Sequence, residues 1–89
     1  MRKLAKSFKH KGFNFSQIKR IDNKAIYKKT PTKGSSISYE VVIISRHNGY
    51  ELAGTYIEPA ETYPSTSQWG TKGWTCLSLE EAEAKFNNI

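Results

Sequence analysis

The stretch "FNFSQIKRIDNKAIYKKT", residues 13–30, decides the fold. It reads as a strand over "FNFSQIKRI", a tight turn at "DNK" and a return strand over "AIYKKT". Asp and Asn tolerate the left-handed backbone that such hairpin turns require. An antiparallel sheet is the consequence. Downstream, "PTKGSS" breaks regular structure through Pro31 and Gly34. "ISYEVVIISRH" (37–47) is then the strongest strand, apolar on both faces from Val41 to Ile44, as an interior strand covered on both sides should be. "HNG" (47–49) predicts a hairpin turn that returns "YELAGTYI" (50–57) as its partner.

The rest of the chain extends this plan. Within the long connection 58–73, "PSTSQW" can hold one short helical turn opened by Ser65. "WTCLSL" begins as a strand. Ser78 and Glu81 have the spacing of a capping box, which predicts a helix over about 79–87. Glu80, Glu81 and Glu83 favour its positive end, and Glu81 can pair with Lys85 one turn on. Leu79, Ala82, Phe86 and Ile89 make a narrow apolar stripe that must lie on the sheet. The predicted fold is α+β: a four- to five-stranded antiparallel sheet with one C-terminal helix packed on one face. Residues 1–12 read as a flexible basic arm, in which Gly12 limits any helical stripe of Leu4 and Phe8, and 13–89 as a single domain.

Composition narrows the function classes. Eighty-nine residues, 37% hydrophobic and 25% charged, suit one soluble domain with a modest core. No apolar run approaches the ~20 residues of a membrane span, and the positive start is followed by no hydrophobic stretch of a secretory signal. Cys76 is the only cysteine, so no internal disulfide can form and a cytoplasmic setting is expected, that of the host cell if the protein is viral. Net charge is +6 and unevenly spread. Residues 1–33 carry eleven Lys/Arg and one acid, Asp22, whereas residues 34–89 carry three Lys/Arg and seven Glu. Such a split suits a polyanion-binding half or charge complementarity between the halves.

No catalytic or metal site is expected. His10 and His47 sit in the arm and in a turn, and with Cys76 they match no zinc spacing. Cys76 has no evident base and reads as a small buried apolar group. "WGTKGW" (69–74) lacks the glycine count and strand-to-helix context of a phosphate loop. No cofactor is implied.

Binding is what remains. A single helix covers one face of the sheet, which would leave Tyr27, Tyr39, Tyr50 and Tyr56 on the other among lysines. Rings among cations are what single-stranded nucleic acid favours, because bases stack while ammonium groups follow phosphates. Lys3, Lys6, Lys9, Lys11, Lys19, Arg20, Lys28 and Lys29 are the expected phosphate contacts, with Tyr27 and Tyr39 for stacking. In "QWGTKGWTC" (68–76), Trp74 is expected in the core and Trp69 at an exposed contact. The expected function is that of a small basic nucleic-acid-binding accessory protein, favouring single-stranded DNA or RNA without strong sequence preference. The alternative is a protein-interaction module, either a host-factor modulator or a homodimer through an open sheet face.

From Tyr39 to Phe86 the chain resembles a group of short, mostly uncharacterised bacteriophage proteins. The likeness lies in Tyr39-Glu40-Val41, in Pro64-Ser65 before Trp69-Gly70, in Gly73-Trp74-Thr75 and in the "LEEAEAKF" helix (79–86). It implies a phage-type accessory protein without implying an activity. The chain is also similar, as a structural analogy, to the WGR domain, a nucleic-acid-associated module. There the likeness is carried by Trp69-Gly70, Gly73, Ser78, Glu81-Ala82 and Phe86. Thr71 stands where that family has its functional arginine.

Overall fold

A computed structural model describes residues 2–89. Two left-handed turns build the first half of the sheet. Lys11 (φ 48°) and Gly12 (φ 83°) reverse the chain between β1 (Ser7–His10) and β2 (Phe13–Ile21). Asp22 (φ 55°), followed by Asn23, reverses it again into β3 (Lys24–Pro31). β4 (Ser38–Ile43) pairs antiparallel with β3, and the short strands β5 (Ser45–His47), β6 (Tyr50–Leu52), β7 (Thr55–Ile57) and β8 (Ala60–Thr62) follow. A 3-10 turn (Thr66–Gln68) preceded by Ser65 leads to β9 (Gly73–Cys76) and then to the helix α1 (Leu79–Asn88). The main sheet has five antiparallel strands in the order β1-β2-β3-β4-β9, with α1 across β3, β4 and β9. This is the predicted α+β architecture.

Two local expectations are corrected. Residues 7–10, assigned to the arm, form edge strand β1, with Phe8 opposite Phe15. Residues 50–57 do not return along the central strand. Ala53 (φ 51°) and Gly54 (φ 80°) close a two-residue turn inside them, so β6 and β7 pair with each other and the second neighbour of β4 is β9.

Register assigns each side chain to a face. Ile26, Val41 and Cys76 lie on the helix face, where Ala82 and Phe86 of α1 bury them and Tyr39 and Ile89 border them. Leu79, expected in the same stripe, is 40% exposed. Ser78 caps the helix: its hydroxyl accepts the Glu81 N–H at 3.1 Å. Lys85 lies over the Trp74 ring, 4.7 Å from its centroid, instead of pairing with Glu81. The opposite face carries a second core of Phe15, Ala25, Tyr27, Val42 and Ile44. That face is not open. Leu4 and Phe8 cover it from the N-terminal segment, and Tyr63 and Trp69 from the segment after β8.

A β-bulge interrupts β2 between Gln17 and Lys19 and leaves Ile18 without a cross-strand partner. Phe13, Phe15 and Gln17 share the aromatic face; past the bulge the alternation shifts, and Arg20, opposite Ala25, lands on that same face. Lys19, opposite Ile26, turns to the helix instead, where it meets Glu83 at 3.1 Å and the Phe86 ring at 4.7 Å.

Candidate nucleic-acid interface

The aromatic face ends in a groove of about 650 Å³ whose walls include Phe8, Phe13, Phe15, Tyr63 and Trp69. Three separate segments supply these rings: β1, β2 and the connection from β8 to β9. Phe8 stacks on Phe15 (centroids 4.7 Å apart, planes at 12°), and Tyr63 meets Phe8 edge-on at 5.5 Å. Trp69 stacks on Tyr63 at 6.5 Å, and its Nε1–H donates to Thr75 Oγ1 at 3.1 Å. The six-membered ring of Trp69 lies directly over Gly73, leaving no room for a side chain there.

The groove is aromatic but not apolar throughout. Glu40, 5% exposed, projects into it from β4. The Tyr63 O–H donates to Glu40 Oε1, and Lys29 Nζ stands 3.3 Å from Oε2. Burial first, and then this hydrogen bond, push the Tyr63 phenol well above its ordinary value, so it remains a neutral donor. Lys29 also lies 4.3 Å from the Phe13 ring centroid. His10 and Lys11 complete the rim.

A second charged cluster occupies the far end of the same face. Glu61, 6% exposed, accepts Arg20 Nη1–H and Nη2–H at 2.7 Å each and the Leu4 N–H at 2.9 Å. These Arg20 bonds, then the Leu4 N–H, hold the Glu61 carboxyl down to about 2 against the upward push of burial. Arg20 Nε–H donates to the Asp22 carbonyl at 2.8 Å, and Glu61 pushes the guanidinium pKa up in return. The N-terminal segment is laced over this cluster. Arg2 N–H donates to Pro59 O at 3.0 Å, Glu61 N–H to Arg2 O at 2.9 Å, and Tyr27 O–H to Ala5 O at 2.8 Å.

The residues expected to bind from sequence divide among these environments. Lys11, Lys29 and Trp69 come together in the groove. Lys3, Lys6 and Arg20 gather at the Glu61 end. Lys9, Lys28 and Tyr39 lie on the helix face, beyond or beside the helix, and Lys19 is engaged by Glu83 there. Tyr27, expected to stack on bases, is fully buried, with its hydroxyl held between Ala5 O and the Gln17 amide. Trp69, expected at an exposed contact, is half-buried in the groove wall. Tyr50 and Tyr56 belong to the β6–β7 hairpin, away from the main sheet. The uneven charge is partly internal: Lys3, Lys19, Arg20 and Lys29 pair with glutamates of the second half. Arg2, Lys6, Lys9, Lys11, Lys28 and Lys33 make no ion pair among the described residues.

Sequence reading did not single out Phe8, Phe13, Tyr63, Glu40, Arg46 or Glu61 for the site. The Phe13/Phe15 alternation was the available signal for two rings. Comparison of the chain with protein-family models, with curated proteins and with solved structures returns no match.

Proposed function

We propose that this chain is a small nucleic-acid-binding accessory protein that takes single-stranded DNA or RNA into the aromatic groove, of the phage type that its sequence resemblance implies. One observation carries the reading: aromatic side chains of three segments wall a single groove whose rim carries Lys11, Lys29 and His10. Rings offer stacking surface to any base, and ammonium groups beside them meet the phosphates, which gives affinity with little sequence preference. The unpaired lysines elsewhere add the long-range attraction that a polyanion experiences.

The test is fluorescence anisotropy of a labelled single-stranded 20-mer beside duplex DNA, at low and at moderate salt. Single strands are expected to bind more tightly than duplex, with affinity falling steeply as salt rises. Trp69→Ala should weaken binding by about 1–3 kcal/mol, the range for loss of one stacking partner. No binding at low salt would sink this reading and turn the search to a protein partner. The exposed Tyr50, Leu52 and Tyr56 of the β6–β7 hairpin would then be the first surface to mutate.

A further inference from the structure

The cluster around Glu61 holds more positive charge than its carboxylate uses. Both Glu61 oxygens are occupied by Arg20, and one of them also by the Leu4 N–H. Lys3 Nζ and Arg46 Nε nevertheless stand 3.9 Å from the same carboxylate, beyond hydrogen-bond length, with side chains 74% and 57% exposed. Lys6 joins them around a concavity of about 540 Å³, in which Asp22 is the one further acid. Two cations with donors to spare therefore stand against a carboxylate that Arg20 has already neutralised, and a third, Lys6, lines the concavity beside them. Backbone bonds anchor the chain at all three: the Arg2 N–H and C=O bonds to the segment 59–61 flank Lys3, the Gln17 N–H donates to Lys6 O at 2.7 Å, and Arg46 pairs with Glu61 between β5 and β8. Cations gathered at fixed positions repel one another, and an anion that bridges them removes that repulsion at little cost in ordering.

We propose that Lys3, Lys6 and Arg46 form a phosphate subsite around the Arg20–Glu61 pair, and that it takes a backbone phosphate of the strand whose base lies in the aromatic groove. The assignment rests on the reading of the groove given above. The two sites adjoin, since Lys6 lines one and Phe8, two residues on, lines the other. Phe15 and Arg20 mark their centres; with the bulge between them they stand opposite Lys29 and Ala25, four residues apart on β3, and strand rise puts them about 13 Å apart. At ~3.4 Å per stacked nucleotide, that distance is roughly four nucleotides. Arg20 is the positioning residue, since its guanidinium is committed to Glu61 and to the Asp22 carbonyl.

The experiment is a ladder of oligothymidylates, from dinucleotide to decamer, titrated against the full chain and against the Lys3→Gln/Arg46→Gln double variant at several salt concentrations. For the unmodified chain, affinity should step up at about four nucleotides, and the salt slope should steepen there by about 0.7 for each added contact. The double variant should lose the step and the added slope, while the dinucleotide, too short to span both sites, binds both proteins alike. An unbroken length dependence in the unmodified chain, or a step retained in the variant, overturns the subsite as part of the strand path. Inorganic pyrophosphate, followed through the backbone amide resonances of Lys3, Lys6 and Arg46, separates the two readings. Shifts there that the double variant loses and Trp69→Ala keeps support the subsite even if no oligonucleotide enters the groove. Unmoved resonances refute it. Both variant positions are exposed and both replacements polar, so amide spectra superimposing elsewhere confirm that the fold is intact.

Discussion

Replacing Glu61 by Gln should be among the most damaging single polar changes in this chain. The Glu61 side chain has no exposed surface, and Arg20, which grips both its oxygens, is 19% exposed. Removing one partner of such a pair leaves the other charge buried without its counterion, which costs about 3–5 kcal/mol. Arg20 keeps some solvent contact, and an amide oxygen still accepts one hydrogen bond, so the lower end, about 3 kcal/mol, is expected. In a domain this size, 3 kcal/mol corresponds to a fall in Tm of roughly 12–24 °C. Urea unfolding followed through Trp69 and Trp74 measures the loss at neutral pH. The pH dependence then tests its cause. The Glu61 carboxyl titrates near 2 when folded, against an ordinary value of 4.5. Because its folded pKa is the lower one, the stabilisation it provides is fully present above about pH 4.5 and drains away as pH falls towards about 2. Glu61→Gln lacks this component, and the remaining carboxylates titrate in both proteins. The gap between the two stability curves should therefore close over that window. A variant within about 0.5 kcal/mol of the parent at neutral pH, or a gap that stays constant down to acid, would refute the reasoning.

Two further substitutions probe the packing that shapes the groove and holds the helix. In Gly73→Ala the new methyl group would overlap the Trp69 ring; a loss of about 1–3 kcal/mol is expected, with a red-shifted tryptophan emission as the ring is driven outward. Phe86→Ala removes the largest side chain that α1 buries; about 3–5 kcal/mol should be lost in chemical denaturation, with helical circular dichroism falling together with tryptophan fluorescence in one transition.

Features determined by neighbours in the chain were legible in the sequence. The β2–β3 hairpin follows from Asp22-Asn23, and the helix start from Ser78 and Glu81; both are settled within a few residues. β1 was not legible, because four residues of "SFKH" between lysines carry too little pattern to outweigh their charge. Face assignments failed for a different reason. Tyr27 stands opposite Glu40 and Tyr39 opposite Lys28, so the two tyrosines point to opposite faces, a fact of register between strands and not of either strand alone. The groove draws on residues 8, 13, 15, 63 and 69, which only the fold brings together. Glu61 gave no local sign of its role, since its partners lie 41 and 57 positions away.

The bulge at Ile18 gives β2 two halves that run out of step. Were the alternation unbroken, Arg20 would point to the helix and Lys19 to Glu61, so that an ammonium would stand where a bidentate fork is required. One unpaired residue thus acts as a phase switch, letting a single strand serve the rings at its start and the guanidinium at its end on one surface.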